Sequence, residues 1–314
     1  MNDGILGVGA TTGGERPDLS ALAGALDEAV ALGLDFVEIP LLGLDVIAGA
    51  RPLKARVAAM RQACEARPLR YTIHAAIGLN FMDEPHRLAS HYEVLRASLD
   101  VAGELGAVHV VVHTGICAAG QPVALDNRYA RQREWLARAG DDARERGVTL
   151  CVENVWTFDT ARYTASPSRL ADEIGRIAHP NVCATLDVSH AYLSCAWEGV
   201  DFLSEIAALA PYAKHLHIHD SFGRPNDMWT CTVSEQIAFG LGDLHLPPGW
   251  GSIPWEAVME AAVLPQGAIL NLELQPRHWG EVAGAVASTR RLAGLARTTP
   301  YRDRSSSRDT TLAV

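Results

Sequence analysis

The sequence predicts an α/β chain folded as a single (β/α)8 barrel, and three observations carry that prediction. Short Val/Ile/Leu-rich runs alternate with helical patterns from end to end, which means a parallel sheet buried on both faces. Eight such units in one unbroken chain favour closure over an open doubly wound sheet, and no G-x-G-x-x-G opens an early helix. Residues of metal-ligand type recur at the ends of the runs, where barrel enzymes carry their chemistry.

Taken in order, Ile5 to Ala10 is an apolar run closed by Thr11-Thr12-Gly13-Gly14, a first strand and turn. Leu19 to Leu34 carries Leu19, Leu22, Leu26 and Val30 at helical spacing and closes on Gly33. Phe36 to Pro40 is the next strand, Leu53 to Ala66 a basic amphipathic helix, and Arg70 to Ala75 a strand ending in Ile73-His74. A long helix from Pro85 to Leu105 precedes the Val-rich strand Val108 to His113. Then come a charged helix (Arg128 to Arg146), a strand (Thr149 to Asn154), and a helix (Ser168 to Ala178) that Ser166-Pro167 can cap and start. Val182 to Asp187 is a strand, Asp201 to Leu209 a helix, and Ala213 to His219 the seventh strand. The Gly- and Pro-rich stretch from Ser221 to Ser252 is too long for a plain connector. Pro254 to Val263 (helix), Ala268 to Leu274 (strand) and Glu281 to Ala296 (helix) complete a barrel over residues 1–297, leaving 298–314 as a polar C-terminal tail.

At 314 residues and 48% hydrophobic, the chain can bury a large core. Its net charge of -10 argues against a broad surface for nucleic acid or anionic membrane. Met1-Asn2-Asp3-Gly4 offers no basic and apolar signal-like segment, and the longest uncharged run, Leu105 to Leu125, is broken by His, Gly and Pro. Six cysteines without CxxC spacing read as reduced, mostly buried thiols. The expectation is a cytoplasmic enzyme with no membrane partner, its oligomeric state left open.

The densest chemistry lies in Lys214-His215-Leu216-His217-Ile218-His219-Asp220. On a strand the three imidazoles point to one side, an odd way to build a core but a sensible way to build a metal site. A buried strand of hydrogen-bonded histidines would be the bland alternative. What favours the metal is that other strand ends supply His74, His113, Glu153, Asp187 with His190, and Glu273, while the long loop adds the pair Asp243 and His245. His86, His91 and His179 fall on helices or their ends and read as surface residues, and His109 opens its strand at the far end.

Val152-Glu153-Asn154, Leu186-Asp187-Val188-Ser189-His190, Leu216-His217-Ile218-His219-Asp220 and Leu272-Glu273 resemble the signature of the xylose isomerase-like TIM barrels. That superfamily includes sugar-phosphate isomerases and epimerases and the AP endonucleases of the endonuclease IV type. The resemblance implies that Glu153, Asp187, His217 and Glu273 hold a central divalent ion, Zn2+ or Mn2+. It also implies that Glu153 and Glu273 exchange a proton with substrate beside a polarised carbonyl, with His190 contacting the substrate. The endonuclease IV pattern adds ligands, and His74, His113, His190, Asp243 and His245 match them, so one to three ions per chain are expected. Three clustered zinc ions suit phosphodiester cleavage. Against DNA repair, His113 is followed by Thr114-Gly115 rather than Pro-Gly, Asp220 is followed by Ser221-Phe222 without a Lys, and no basic insertion with aromatics is present.

The expected activity is therefore that of an isomerase or epimerase on a small carbohydrate or sugar phosphate. A zinc phosphoesterase resembling endonuclease IV, or a metal-dependent lyase or dehydratase, is the alternative. Substrate-binding candidates are Trp156, which with Phe158 could stack on a sugar ring, His219, and the cations Arg224 and Arg277. Phe222, Arg224, Met228 and Trp229 could close the long loop over a substrate, or the loop could be a surface feature without ligand contact.

Overall fold

The computed structural model describes residues 4–12, 16–120 and 122–300. Eight strands close a barrel: β1 (Ile5–Thr11), β2 (Phe36–Pro40), β3 (Arg70–His74), β4 (His109–His113), β5 (Thr149–Glu153), β6 (Val182–Asp187), β7 (Ala213–Ile218) and β8 (Ala268–Leu272). Each is parallel to both neighbours, and β8 returns to pair with β1. The chain is thus a single (β/α)8 TIM barrel, as the alternation predicts.

Helices α1 (Leu22–Ala31), α2 (Lys54–Glu65), α3 (Leu88–Leu105), α4 (Pro122–Glu145) and α5 (Pro167–Ile177) follow the first five strands. α6 (Val188–Glu198) and α7 (Phe202–Leu209) follow β6, and α8 (Val233–Phe239) and α9 (Trp255–Ala261) follow β7. α10 (Val282–Leu295) follows β8. The main core lies between sheet and helices, where Leu26, Ile39, Ile73, Leu95, Leu99, Val110, Leu150, Leu186, Leu216 and Leu270 are fully buried. Inside the barrel, Val111, Cys151 and Cys183 form a separate apolar cluster, and Phe36 and Ile269 are buried on the inward faces of β2 and β8. Much of the remaining interior is polar: Glu38, Thr72, His109, Thr185, His215, His217 and Asn271 are all buried there. A barrel interior usually holds layers of branched aliphatic side chains, so this one has given packing over to chemistry.

Several elements differ from expectation, each for a local reason. α6 starts directly out of β6 with no linker, because the Asp187 side chain caps it by accepting the His190 N–H at 2.7 Å. α4 begins at Pro122, well ahead of its charged part. The loop after β7 is not structureless: Thr232 and Glu235 form a reciprocal capping box that nucleates α8. Arg297–Thr299 pairs in parallel with Val263–Pro265, so strand structure continues to Thr299. The remaining tail, from 301, and Gly13-Gly14 of the expected first turn lie outside the described residues. All six cysteines are free, five of them buried. Among the described residues, no helix is long and apolar enough to cross a membrane.

Candidate metal centre

The C-terminal ends of the strands converge their carboxylates and imidazoles on the barrel mouth. His217 Nδ1 sits at the middle, 3.2 Å from Glu153 Oε1, 3.6 Å from Asp187 Oδ2 and 3.3 Å from Glu273 Oε2. The four central residues expected from sequence are therefore together. Two further groups flank them. His74 Nε2 and His113 Nε2 approach Glu153 Oε2 at 3.3 and 3.5 Å. On the other side, His190 Nε2 and His245 Nε2 approach Asp243 Oδ2 at 3.5 and 2.7 Å. His219 joins that second group, with Nε2 at 2.9 Å from Asp187 Oδ2 and Nδ1 at 3.6 Å from Asp243 Oδ1. Within each flanking group the ligand atoms lie within 4.8 Å of one another.

The donor set fits divalent ions on several counts. Nitrogen and oxygen donors of this kind suit zinc or manganese. Several imidazoles have one nitrogen tied down, which turns the other toward the centre. His74 Nδ1 hydrogen-bonds the Ala75 carbonyl (2.8 Å), His190 Nδ1 the Asn154 carbonyl (3.0 Å) and His245 Nδ1 the Glu273 carbonyl (3.0 Å). His219 Nδ1 and Asp243 Oδ1 are buried and face each other without a hydrogen-bond partner, a cost that a bound cation would remove.

Electrostatics agree. Burial opposes charge on Glu153 and Asp243, yet the facing histidines hold both carboxyls well below their usual range. Burial likewise opposes ionisation of Asp187, but His190 and His219 keep its pKa low. In return, Glu153, Glu38 and Glu273 overcome burial and lift His74 to about 9, and Asp243 and Glu273 lift His245 to about 10. His190 and His217 also rise well above the ordinary imidazole value, whereas burial drives His113 down to about 4. Protons on these imidazoles offset the concentrated negative charge, a role that a divalent ion would take over.

Second-tier residues hold this frame. Asn154 accepts the Asp187 N–H and donates to the Asp187 carbonyl, both at 2.9 Å, locking β5 to β6 at the mouth. Asp220, fully buried, accepts from the backbone of Ser221 (3.0 Å), Gly249 (2.7 Å) and Ile253 (3.2 Å) and from Trp255 Nε1 (3.0 Å). That wrap is tight enough that a Cβ on Gly251 would lie 2.2 Å from Asp220 Oδ1. It fixes the loop that brings Asp243 and His245 to the mouth.

The candidate substrate contacts divide. Trp156, half-buried, tilts against His190 with ring centroids 4.3 Å apart, at the rim of the cluster. Within the long loop and its neighbourhood, Arg224 Nη1 donates to the Phe239 carbonyl (2.8 Å) and Arg277 Nη2 to Ser234 Oγ (2.9 Å). Met228 and Trp229 stand exposed. His91 pairs with Asp83 and His179 with Asp141, while His86 is exposed, all outside the cluster. Sequence reasoning passed over Glu38, a charged residue in the middle of a strand buried on both faces. That mismatch was the available signal.

A family model described as xylose isomerase-like TIM barrel matches residues 26–292. The chain belongs to that family. Solved structures agree in fold. A D-tagatose 3-epimerase-like protein superposes with a TM-score of 0.65 at 17% identity, covering 92% of this chain and 96% of its own. The TTHB071 protein from Thermus thermophilus, soaked with ZnCl2, gives 0.65 at 22%, covering 93% and 99%. The 3-keto-D-glucoside 4-epimerase YcjR from E. coli, in its apo form, gives 0.63 at 15%, covering 90% and 98%. No curated protein sequence matches the chain. In keeping with that family, the chain forms a closed eight-stranded barrel, with its polar cluster at the C-terminal mouth.

Proposed function

We propose that this xylose isomerase-like barrel is a divalent-metal-dependent isomerase or epimerase acting on a small carbohydrate or sugar phosphate. The observation that carries the reading is the placement of Glu153 and Glu273, each about a ligand's width from His217 Nδ1 (3.2 and 3.3 Å) and delivered by different strands of the barrel. Epimerases among the structural neighbours support the substrate class, and the zinc-soaked neighbour supports the metal.

In this reading Glu153, Asp187, His217 and Glu273 hold the ion. A bound divalent cation would polarise the substrate carbonyl and acidify the neighbouring C–H. Glu273, with 19% of its side chain exposed to the mouth, takes that proton on a carboxylate oxygen. Glu153, only 1% exposed and ringed by His74, His113, His190 and His217, is the deeper partner on the other side of the reacting carbon. His190 meets a substrate hydroxyl and Trp156 covers one face of the sugar. Proton transfer by a placed carboxylate is worth about 10²–10⁴-fold in rate.

The test is solvent exchange in D2O over a panel of ketoses and their phosphates. Glu273→Gln should cut deuterium incorporation by that factor while zinc or manganese uptake largely persists. Undiminished exchange in a metal-loaded Glu273→Gln protein would remove the proposal.

A second reading, a zinc phosphoesterase, draws on the two flanking groups, His74 with His113 and Glu153, and His190 with His219, Asp243 and His245. Three zinc ions per chain by elemental analysis, with phosphodiester hydrolysis lost in Asp243→Ala and His245→Ala, would favour it over the isomerase.

A further inference from the structure

Beneath the metal centre, the barrel interior holds a column of polar side chains that the proposed reaction does not use. Glu38 lies at its centre and is fully buried. Its Oε1 accepts from His217 Nε2 (3.1 Å), Thr11 Oγ1 (3.1 Å) and Asn271 Nδ2 (3.3 Å). Its Oε2 accepts from Thr72 Oγ1 (3.4 Å) and faces His215 Nε2 at 3.1 Å. His215 in turn meets His109, Nδ1 to Nδ1, at 3.3 Å. Burying a carboxylate costs several kcal/mol before pairing, and an aliphatic side chain would fill a β2 position more cheaply. The carboxylate must therefore do something that packing does not require.

We propose that Glu38 is the positioning residue of the metal site: it takes the Nε2–H of His217 and so presents Nδ1 as the donor toward Glu153, Asp187 and Glu273. This inference rests on the metal-dependent reading above. The contrast with the other imidazoles gives it force. His74 and His245 are each steered by a neutral backbone carbonyl, while His190 Nδ1 is shared between the Asn154 carbonyl (3.0 Å) and Glu153 Oε1 (3.2 Å). His217 is steered by a carboxylate, and a charge-assisted bond makes the opposite nitrogen a stronger donor. The central ion is thereby held more tightly than a neutral acceptor on Nε2 would allow. An ion held instead by Glu38, His215 and His217, whose ligand atoms lie within 4.8 Å of one another, would coordinate His217 through Nε2 and is the alternative outcome of the test.

Chelator-competition titration of zinc into the full-length parent and Glu38→Gln tests the inference. The variant should lose about 10–100-fold in affinity at the tightest site, and the visible bands of the cobalt-loaded protein should shift. Parental affinity and spectrum in the variant would overturn the positioning role while leaving the metal reading intact. A parent that takes up no zinc would instead overturn the metal reading, and this inference with it. Should Glu38→Gln fail to fold, ¹⁵N-histidine spectra of the zinc-loaded parent decide. Nε2–H with Nδ1 coordinated is expected for His217. A proton on Nδ1, or coordination through both nitrogens, refutes the proposal.

Discussion

His245 lies flat on His219, their ring centroids 3.9 Å apart and their planes 3° from parallel. The stack joins the long loop after β7 to the end of β7 itself. Through it Asp243, bound to His245 Nε2 at 2.7 Å, comes to face His219 Nδ1, and His219 Nε2 reaches Asp187 at 2.9 Å. The sequence placed His219 among the substrate contacts. With both nitrogens directed at carboxylates, it would also suit the role of ligand to an ion shared with Asp243 in the proposed metal-dependent reading. His219→Ala is expected to weaken that flanking ion by about tenfold or more, in the range seen for supporting residues of metal sites, and to leave the central ion nearly unchanged. Stepwise zinc titration separates the two. Equal loss at both positions would contradict this assignment.

Zinc uptake should release protons. His74 and His245, lifted to about 9 and about 10, are protonated at neutral pH in the metal-free protein and must be neutral to ligate. Affinity for flanking ions therefore climbs as pH rises from about 7 toward about 9. Calorimetry in buffers of different ionisation enthalpy counts the released protons, and a count of zero would be incompatible with these ligands.

The same shifts fix the pH dependence of the metal-free fold. The raised pKa values of His74 and His245 stabilise the fold fully below 6.5, and that stability drains away as pH passes through about 9 and about 10. The depressed pKa values of Glu153 and Asp187 act oppositely, stabilising above their ordinary values of 4.5 and 3.8 and losing that contribution on acidification. The melting temperature of the metal-free protein should peak between those limits. Zinc should flatten the alkaline side, where it substitutes for the lost protons; an unchanged alkaline slope with zinc would argue against it.

Asp220 offers a stability test remote from the reacting groups. Asp220→Asn sets its amide NH2 against the donors of one carboxylate oxygen, either Gly249 N–H and Trp255 Nε1–H or Ser221 N–H and Ile253 N–H. Losing charge-assisted bonds of this kind costs about 2–3 kcal/mol. Because the same wrap places Asp243 and His245, the variant should also bind less metal in their flanking group. Unaltered melting and zinc stoichiometry would show that the loop holds without it.

The barrel was legible in the sequence because it follows from period, and so was the gathering of ligand-type residues at one end of it; the choice of a central quartet among them came from the resemblance to the xylose isomerase-like signature. Strands buried on both faces read as apolar runs, and a ligand-type residue at the end of such a run has nowhere to point but the mouth. Glu153 and Asp187, the last residues of β5 and β6, are cases of that rule. Glu38 broke the apolar pattern of β2, but one charge within a strand does not say what it meets across the barrel. Arg224 and Arg277 were nominated by closeness in sequence to the site, which does not determine what they meet; here the carbonyl of Phe239 and the hydroxyl of Ser234 accept one hydrogen bond from each. α6 escaped notice because its cap, Asp187, is also a metal-ligand candidate and the last residue of β6.

Trp156 is the remaining sequence nominee at the rim, and two roles for it predict opposite kinetics. Its indole leans on His190 at 4.3 Å with planes 38° apart, and Phe158 lies beyond it at 6.5 Å. If the free face of the indole packs on a sugar ring, removing it loses binding felt equally in the ground and transition states. KM then rises about tenfold, the equivalent of one aromatic contact, while kcat holds. If the indole only braces His190, Trp156→Ala disturbs the imidazole instead, so kcat and flanking-metal content fall while KM stays. The rim position and partial exposure favour the first outcome. Trp156→Phe should recover part of the KM effect, since a phenyl ring keeps a stacking face. Steady-state kinetics on Trp156→Ala and Trp156→Phe, with metal content measured on the same samples, separate the roles, and a kcat loss accompanied by metal loss would reassign Trp156 to bracing His190.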